Sequence, residues 1–197
     1  MESVKSNPFN LTRSADMTDE QIDLLWVDLS IDDVEKLKSP VAVRVKGGKG
    51  SGKTHLLRHY SFPLQQIRYE RENKNVLFGI KDDGYLGIYL RCGSLNASRF
   101  QGQNQSSEAW NRLFEYAFEL LLGHELIHIL QIALADHADE DKKISEKVFQ
   151  LFGAEDQPKS LRVLENYVTA LRRRLDLAVN NCALGGNLAH SPDAKIL

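Results

Sequence analysis

Cysteine is scarce in this chain of 197 residues: Cys92 and Cys182 are the only two, and they form no C-x-x-C pair. That excludes a disulfide framework. Long apolar runs are missing as well. The longest is interrupted by His124, Glu125, His128 and Gln131, so no segment reaches membrane-spanning length. The N-terminal stretch MESVKSNPFNLTRSADM lacks the apolar centre of a secretory signal. Neither sign of charge is in excess, with Lys+Arg 25 against Asp+Glu 27 and a formal net charge of −2. Electrostatics alone therefore give no reason to expect nucleic acid or an anionic membrane as partner. Internal repeats and low-complexity segments are absent too. What remains is an ordinary globular composition, 42% hydrophobic and 26% charged, long enough for one domain with a real core. The expected setting is the reducing cytoplasm.

The first forty residues read as a helical extension. Thr18-Asp19-Glu20-Gln21 is a capping box, in which the threonine hydroxyl and the glutamine each satisfy an exposed backbone donor. It opens a helix with Ile22, Leu25 and Trp26 on its apolar face, and Ser30 caps a second short helix that stops at Ser39-Pro40. Residues 41–46, VAVRVK, alternate and predict a strand; residues 85–91, YLGIYLR, predict a second one after the Asp82-Asp83-Gly84 turn. Between them lie a short helix ending near Phe62-Pro63 and a polar helix over 64–74. Ser106 or Ser107 caps a long helix running to about Asp136, the acidic DHADEDKK is a solvated connector, and a last helix spans about 160–181.

After the first expected strand comes G-x-x-x-x-G-K-[ST], spelled by Gly47, Gly48, Lys49, Gly50, Ser51, Gly52, Lys53 and Thr54. Glycines let backbone N–H groups turn inward around phosphate oxygens, which a Cβ would obstruct. Lys53 supplies a point charge to the β- and γ-phosphates, and the Thr54 hydroxyl is placed to ligate Mg²⁺. The helix that starts here adds its dipole and unpaired donors. The spelling alone arises by chance in roughly one chain in a hundred of this length, so its flanks decide. An apolar alternating segment enters and an apolar-faced helix with Leu56 and Leu57 leaves, as the motif requires. The expected ligands are ATP and Mg²⁺.

A second motif competes. His124-Glu125-Leu126-Ile127-His128 is H-E-x-x-H, the spacing with which two histidines hold zinc and a glutamate serves as general base. At 100° per residue, as in any α-helix, the two histidines continue the stripe of Trp110, Leu113, Ala117 and Leu121, which suits core histidines equally well. Zinc needs a third protein ligand. The downstream H-x-x-G-x-x-H continuation is absent, His137 sits on the same helix, and Glu146 or Glu155 would need a helical return that the sequence does not specify. A zinc metalloprotease is thus the weaker reading.

A P-loop hydrolase also needs an acidic residue at the end of a neighbouring apolar strand. LLWVD, ending at Asp28, and IALAD, ending at Asp136, imitate one, but both belong to helices; residues 85–91 end in Arg91-Cys92. A small P-loop kinase or phosphotransferase would want a carboxylate at that same place. An interaction module with a degenerate loop is a further alternative. The tail NLAHSPDAKIL carries no closing element, so the expectation is the front part of a longer ATPase, inactive by itself.

NPFNLTRSADMTDEQIDLLWVDL, GGKGSGKTHLLRHYSFPLQQIR, DDGYLGIYLRCGSLNASRFQG and LDLAVNNCALGGNL together resemble the N-terminal portion of large bacterial origin-recognition-complex-like AAA ATPases, often defence-associated. The resemblance spans nearly the whole chain. It implies an α/β fold: a partial P-loop NTPase core of ASCE/AAA-like type, helix-rich, over residues 41–197, preceded by the helical extension or linker over 1–40. It carries over Gly47 to Thr54 as the phosphate site and puts the Mg²⁺-binding acidic strand beyond residue 197. The stretch from Asn7-Pro8-Phe9 to Arg13 would pack as an arm near the adenine. Self-association or an effector protein would serve as partner, with Arg91, Arg99 or the run Arg172-Arg173-Arg174 as candidates to face the nucleotide or a neighbouring subunit.

Overall fold

The structure, a computed structural model, describes residues 14–27, 36–38, 41–102, 105–151 and 159–183. The arm from Asn7 to Arg13, most of the Ser30-capped helix, Asp28, Glu155 and the tail lie outside these residues. The chain divides into two compact units, Met1–Tyr89 and Leu90–Leu197.

In the first unit, helix α1 (Asp19–Leu24) opens with the capping box as spelled: Gln21 N–H donates to Thr18 Oγ1 at 3.3 Å and Thr18 N–H to Gln21 Oε1 at 2.9 Å. Helix α2 (Lys53–His59) follows the glycine-rich loop, α3 (Phe62–Arg71) begins one turn later, and α4 (Val76–Asp83) closes the set. Pro63 does not end a helix. It sits in the first turn of α3, where its missing N–H has no intrahelical partner to lose. Helix α4 has an Asn75 cap, its side-chain oxygen accepting from Leu77 and Phe78 N–H. Helices α1, α2 and α3 pack on one another, burying Ile22, Phe62, Leu64 and Tyr69, and α4 packs on α3.

The expected α/β core is overturned, because the described residues contain helices and no strand. Residues 85–91 show why alternation misleads. The backbone groups a ladder would use are taken by α3: Gly87 C=O accepts from Phe62 N–H at 2.7 Å, and Gly87 N–H donates to Gln65 Oε1 at 3.1 Å. Tyr85 C=O accepts from Gln65 Nε2 at 3.2 Å. Residues 41–46 form no strand and stay largely at the surface, with Val41 70% and Val43 49% exposed. Alternating β-branched residues favour extended backbone, but a strand needs a second segment to pair with.

Gln65, fully buried, is the hub of a polar network. Its Nε2 also lies 3.1 Å from Tyr69 Oη and 3.0 Å from Asp83 Oδ2, and Tyr69 O–H donates to Asp83 Oδ2 at 2.7 Å. Burial, then the Asp83 hydrogen bond, raises the Tyr69 phenol; burial pushes Tyr85 up to about 12, against Arg68 beside it. Both phenols hold their protons more tightly folded than unfolded, where a tyrosine titrates near about 10. The stability this contributes is therefore complete below about pH 10 and is lost as pH rises toward about 12. Urea midpoints followed by Trp26 fluorescence should fall across that window, and less steeply in Tyr85→Phe.

The second unit is built on helix α5 (Ser107–Ala133) packed along α7 (Leu161–Ala183), with α6 (Ala138–Leu151) against α7. Ser106 caps α5 through a 3.1 Å bond from Ala109 N–H. Along α7, Leu161, Leu164, Val168, Leu171, Leu175, Ala178, Val179 and Cys182 recur every three or four residues and all are buried, a single apolar stripe facing α5 and α6. The acidic stretch expected to be a connector starts α6 instead. Asp139, Glu140 and Asp141 occupy its first turn, where carboxylates are favoured by the helix dipole. Asp141 also accepts from Leu161 N–H at 2.8 Å and so caps α7. No described helix is long and apolar enough to cross a membrane.

Candidate nucleotide site

Local chemistry shapes the loop over residues 47–54. Gly50 (φ 84°) and Gly52 (φ 81°) adopt the left-handed conformation, which any side chain would strain. Ser51 N–H closes a turn onto Gly48 C=O at 3.3 Å, and Gly52 is the N-cap of α2 without a side-chain cap. The first N–H groups of α2 are therefore not taken by a capping side chain. Into this loop folds Lys53. Its ammonium donates to the carbonyls of Gly47 and Gly48, both at 2.7 Å, and lies 3.3 Å from Ser51 Oγ. A polyphosphate entering the loop would exchange these carbonyl partners for phosphate oxygens, a charge-assisted gain.

Beside the loop is a cleft of about 450 Å³. Gly50, Ser51, Gly52 and Lys53 line one side, Leu25, Trp26 and Val27 another, with Val45, Lys46, His55 and Leu56 between. Lys46, Lys53 and His55 supply its ionisable groups; no aspartate or glutamate is among its lining residues. Of the residues singled out from the sequence, Gly47 and Gly48 reach this site through their bonds to Lys53. Lys49 and Thr54 do not line the cleft, Lys49 pointing to solvent and Thr54 half-buried at the start of α2.

The motif pattern missed the apolar wall. Leu25, Trp26 and Val27 follow α1 and are brought to the cleft by two side chains of α2. His55 Nε2 lies 3.0 Å from Ile22 C=O. Arg58, buried, donates to Met17 C=O at 2.8 Å, to Ser14 C=O, and to Asp19 Oδ1 at 2.6 Å. Arg71 of α3 adds an ion pair with Asp23. Trp26 then stacks on His59, ring centroids 3.6 Å apart and planes within 7°. His55, Arg58 and His59 share one face of α2, but polar and basic residues are equally the pattern of a solvated helix face, so the sequence carried no signal that set them apart.

Arg99 is committed elsewhere, pairing with Asp176 at 2.6 Å in the second unit. In that same unit α5 carries His124 and His128, half-exposed, with Glu165 of α7 3.8 Å from a ring nitrogen of each.

No curated protein and no solved structure matched the chain. A family model described as ORC-CDC6-like matches residues 7–196, nearly all of its length, and the chain belongs to that AAA-ATPase-related family.

Proposed function

We propose that this chain binds ATP with Mg²⁺ in the cleft beside residues 47–54 and is the nucleotide-holding part of an AAA-like ATPase that passes its nucleotide state to a partner. The observation that carries the reading is the Lys53 ammonium, held at 2.7 Å by two loop carbonyls beside a cleft with an apolar wall. Gly47 to Gly52 would present backbone N–H groups to the phosphates, Lys53 its charge to the β- and γ-oxygens, and Thr54 its hydroxyl to Mg²⁺. The base would lie toward Leu25, Trp26 and Val27, and the triphosphate toward Gly50 and Lys53. The bacterial, defence-associated setting rests on the resemblance of the NPF, GYLGIYLRCG and AVNN stretches.

Turnover is a separate matter. A carboxylate must help hold Mg²⁺ and position the attacking group, and none lines this cleft among the described residues. Binding is therefore assigned to this chain and efficient hydrolysis is not. The same lack weighs against a small phosphotransferase, which would need that group for its acceptor hydroxyl.

Calorimetry with Mg-ATP on the wild type and Lys53→Ala tests the reading. Losing a charge-assisted contact of about 1.5–3 kcal/mol lowers affinity about 10- to 150-fold, with the fold unchanged by circular dichroism. Equal binding by the two proteins, or none by either, would remove the proposal.

A further inference from the structure

Within the second unit, α5 and α7 enclose a cavity of about 230 Å³ beside the short helical turn Ala97–Arg99, which packs on α7. Helix α5 gives it Phe114, Ala117, Phe118 and Leu121, spaced so that all four share one face. Ala117 is the small member of that face, and the room it leaves lies between aromatic neighbours. Phe114 and Phe118 stand with their planes within 14° at 6.4 Å, and Phe100 meets Phe114 edge-on at 5.5 Å. The opposite wall is charged. Arg172 and Asp176, one turn apart on α7, line it together with Arg99.

Arg99 is held but not satisfied. One terminal nitrogen pairs with Asp176 Oδ1 at 2.6 Å, and its guanidinium carbon sits 4.9 Å from the centre of the Phe100 ring. Its Nε, by contrast, is buried without a hydrogen-bond partner among the described residues, an arrangement that costs free energy unless something accepts that N–H. Two guanidiniums against one carboxylate also leave the cavity with one excess positive charge. We propose that this cavity binds a small aromatic carboxylate, its ring against Phe114 and Phe118 and its carboxylate accepting from Arg99 Nε with Arg172 beside it. The size fits, since a cavity of about 150 Å³ already admits a benzene ring. A monoanion balances the excess charge, whereas Asp176 would repel a phosphate dianion. A neutral ring would leave the Arg99 N–H unpaired.

The site is separate from the nucleotide cleft, so either reading can fail without the other. Calorimetry on the full chain compares benzoate with its two halves, acetate and benzyl alcohol, and with inorganic phosphate. Benzoate should bind saturably, one per chain, at least tenfold more tightly than any of the other three. Arg99→Gln should weaken it about tenfold to a hundredfold, and Arg172→Gln, which keeps the Arg99–Asp176 pair, about twofold to fivefold. Ala117→Leu keeps every charge but fills the space; it should abolish binding while the urea midpoint stays equal or rises. Arg162→Gln, on α7 outside the cavity, should change nothing. Absence of saturable benzoate binding by the wild type overturns the proposal. So does binding that survives both Arg99→Gln and Ala117→Leu, or benzyl alcohol binding as tightly as benzoate. Phosphate binding more tightly than benzoate would overturn it too, and would assign the arginines to a phosphoryl group.

Discussion

Gly87→Ala should unfold the first unit under conditions in which the wild type is stable. A Cβ at this position would land inside the carbonyl of Tyr60 and close on Ser61 Cα, 3.0 Å away. Both obstacles are backbone, so no rotamer change relieves them. Moving residue 87 away breaks the Phe62 N–H to Gly87 C=O bond of 2.7 Å, at the start of α3. It also breaks the Gly87 N–H to Gln65 Oε1 bond of 3.1 Å, which holds the hub of the buried network. Each orphaned buried group costs about 1–3 kcal/mol, so a loss of about 3–5 kcal/mol is expected, at the severe end for a single substitution. Gly84→Ala is the control. Gly84 has φ 70° but open space around its Cβ, so only backbone strain of about 1–2 kcal/mol applies. The two tryptophans fall one in each unit, Trp26 and Trp110, so urea unfolding in a Trp110→Phe background reports the first unit alone. Equal midpoints for the two glycine variants would mean that residues 85–87 do not depend on this close approach.

That close approach also explains which parts of the fold could be read in advance. The Thr18 capping box, the Ser106 cap and the α7 stripe are local patterns, and each is realised where it is spelled. Residues 85–91 are not local in this sense. Their apolar alternation is genuine, but what their backbone pairs with is decided by Gln65 and Phe62, some twenty residues earlier. The start of α6 was hidden for another reason. DHADEDKK has the composition of a solvated loop, yet three acids in succession are also what the first turn of a helix favours. Helix α4 is short and interrupted by Gly79, so its period is too brief to recognise. At the candidate sites the division is similar. The glycine-rich loop was legible because its motif is spelled by contiguous residues, whereas the cleft wall around Trp26 arrives from a separate segment.

Arg58→Ala should separate the two halves of the nucleotide cleft. This arginine holds the Ser14 and Met17 carbonyls and the Asp19 carboxylate at the start of α1, with its own side chain only 10% exposed. Truncation leaves two carbonyls without a donor and one carboxylate without its partner. Asp19 is 36% exposed, which lets water compensate in part, so the expected loss is about 2–3 kcal/mol. Arg58→Lys keeps the charge but cannot reach all three acceptors with one ammonium, and should recover about half. With α1 released, Leu25, Trp26 and Val27 leave the cleft, while the loop over residues 47–54 keeps its own internal bonds. ATP, which would use both walls, should then bind about tenfold more weakly, whereas inorganic tripolyphosphate, which would use only the loop, should bind as before; tenfold is about 1.4 kcal/mol, a modest share of an apolar wall. Lys53→Ala should instead weaken both ligands. If Arg58→Ala instead weakened tripolyphosphate as much as ATP, α1 would be supporting the phosphate loop itself, and the base would have to be sought away from Trp26.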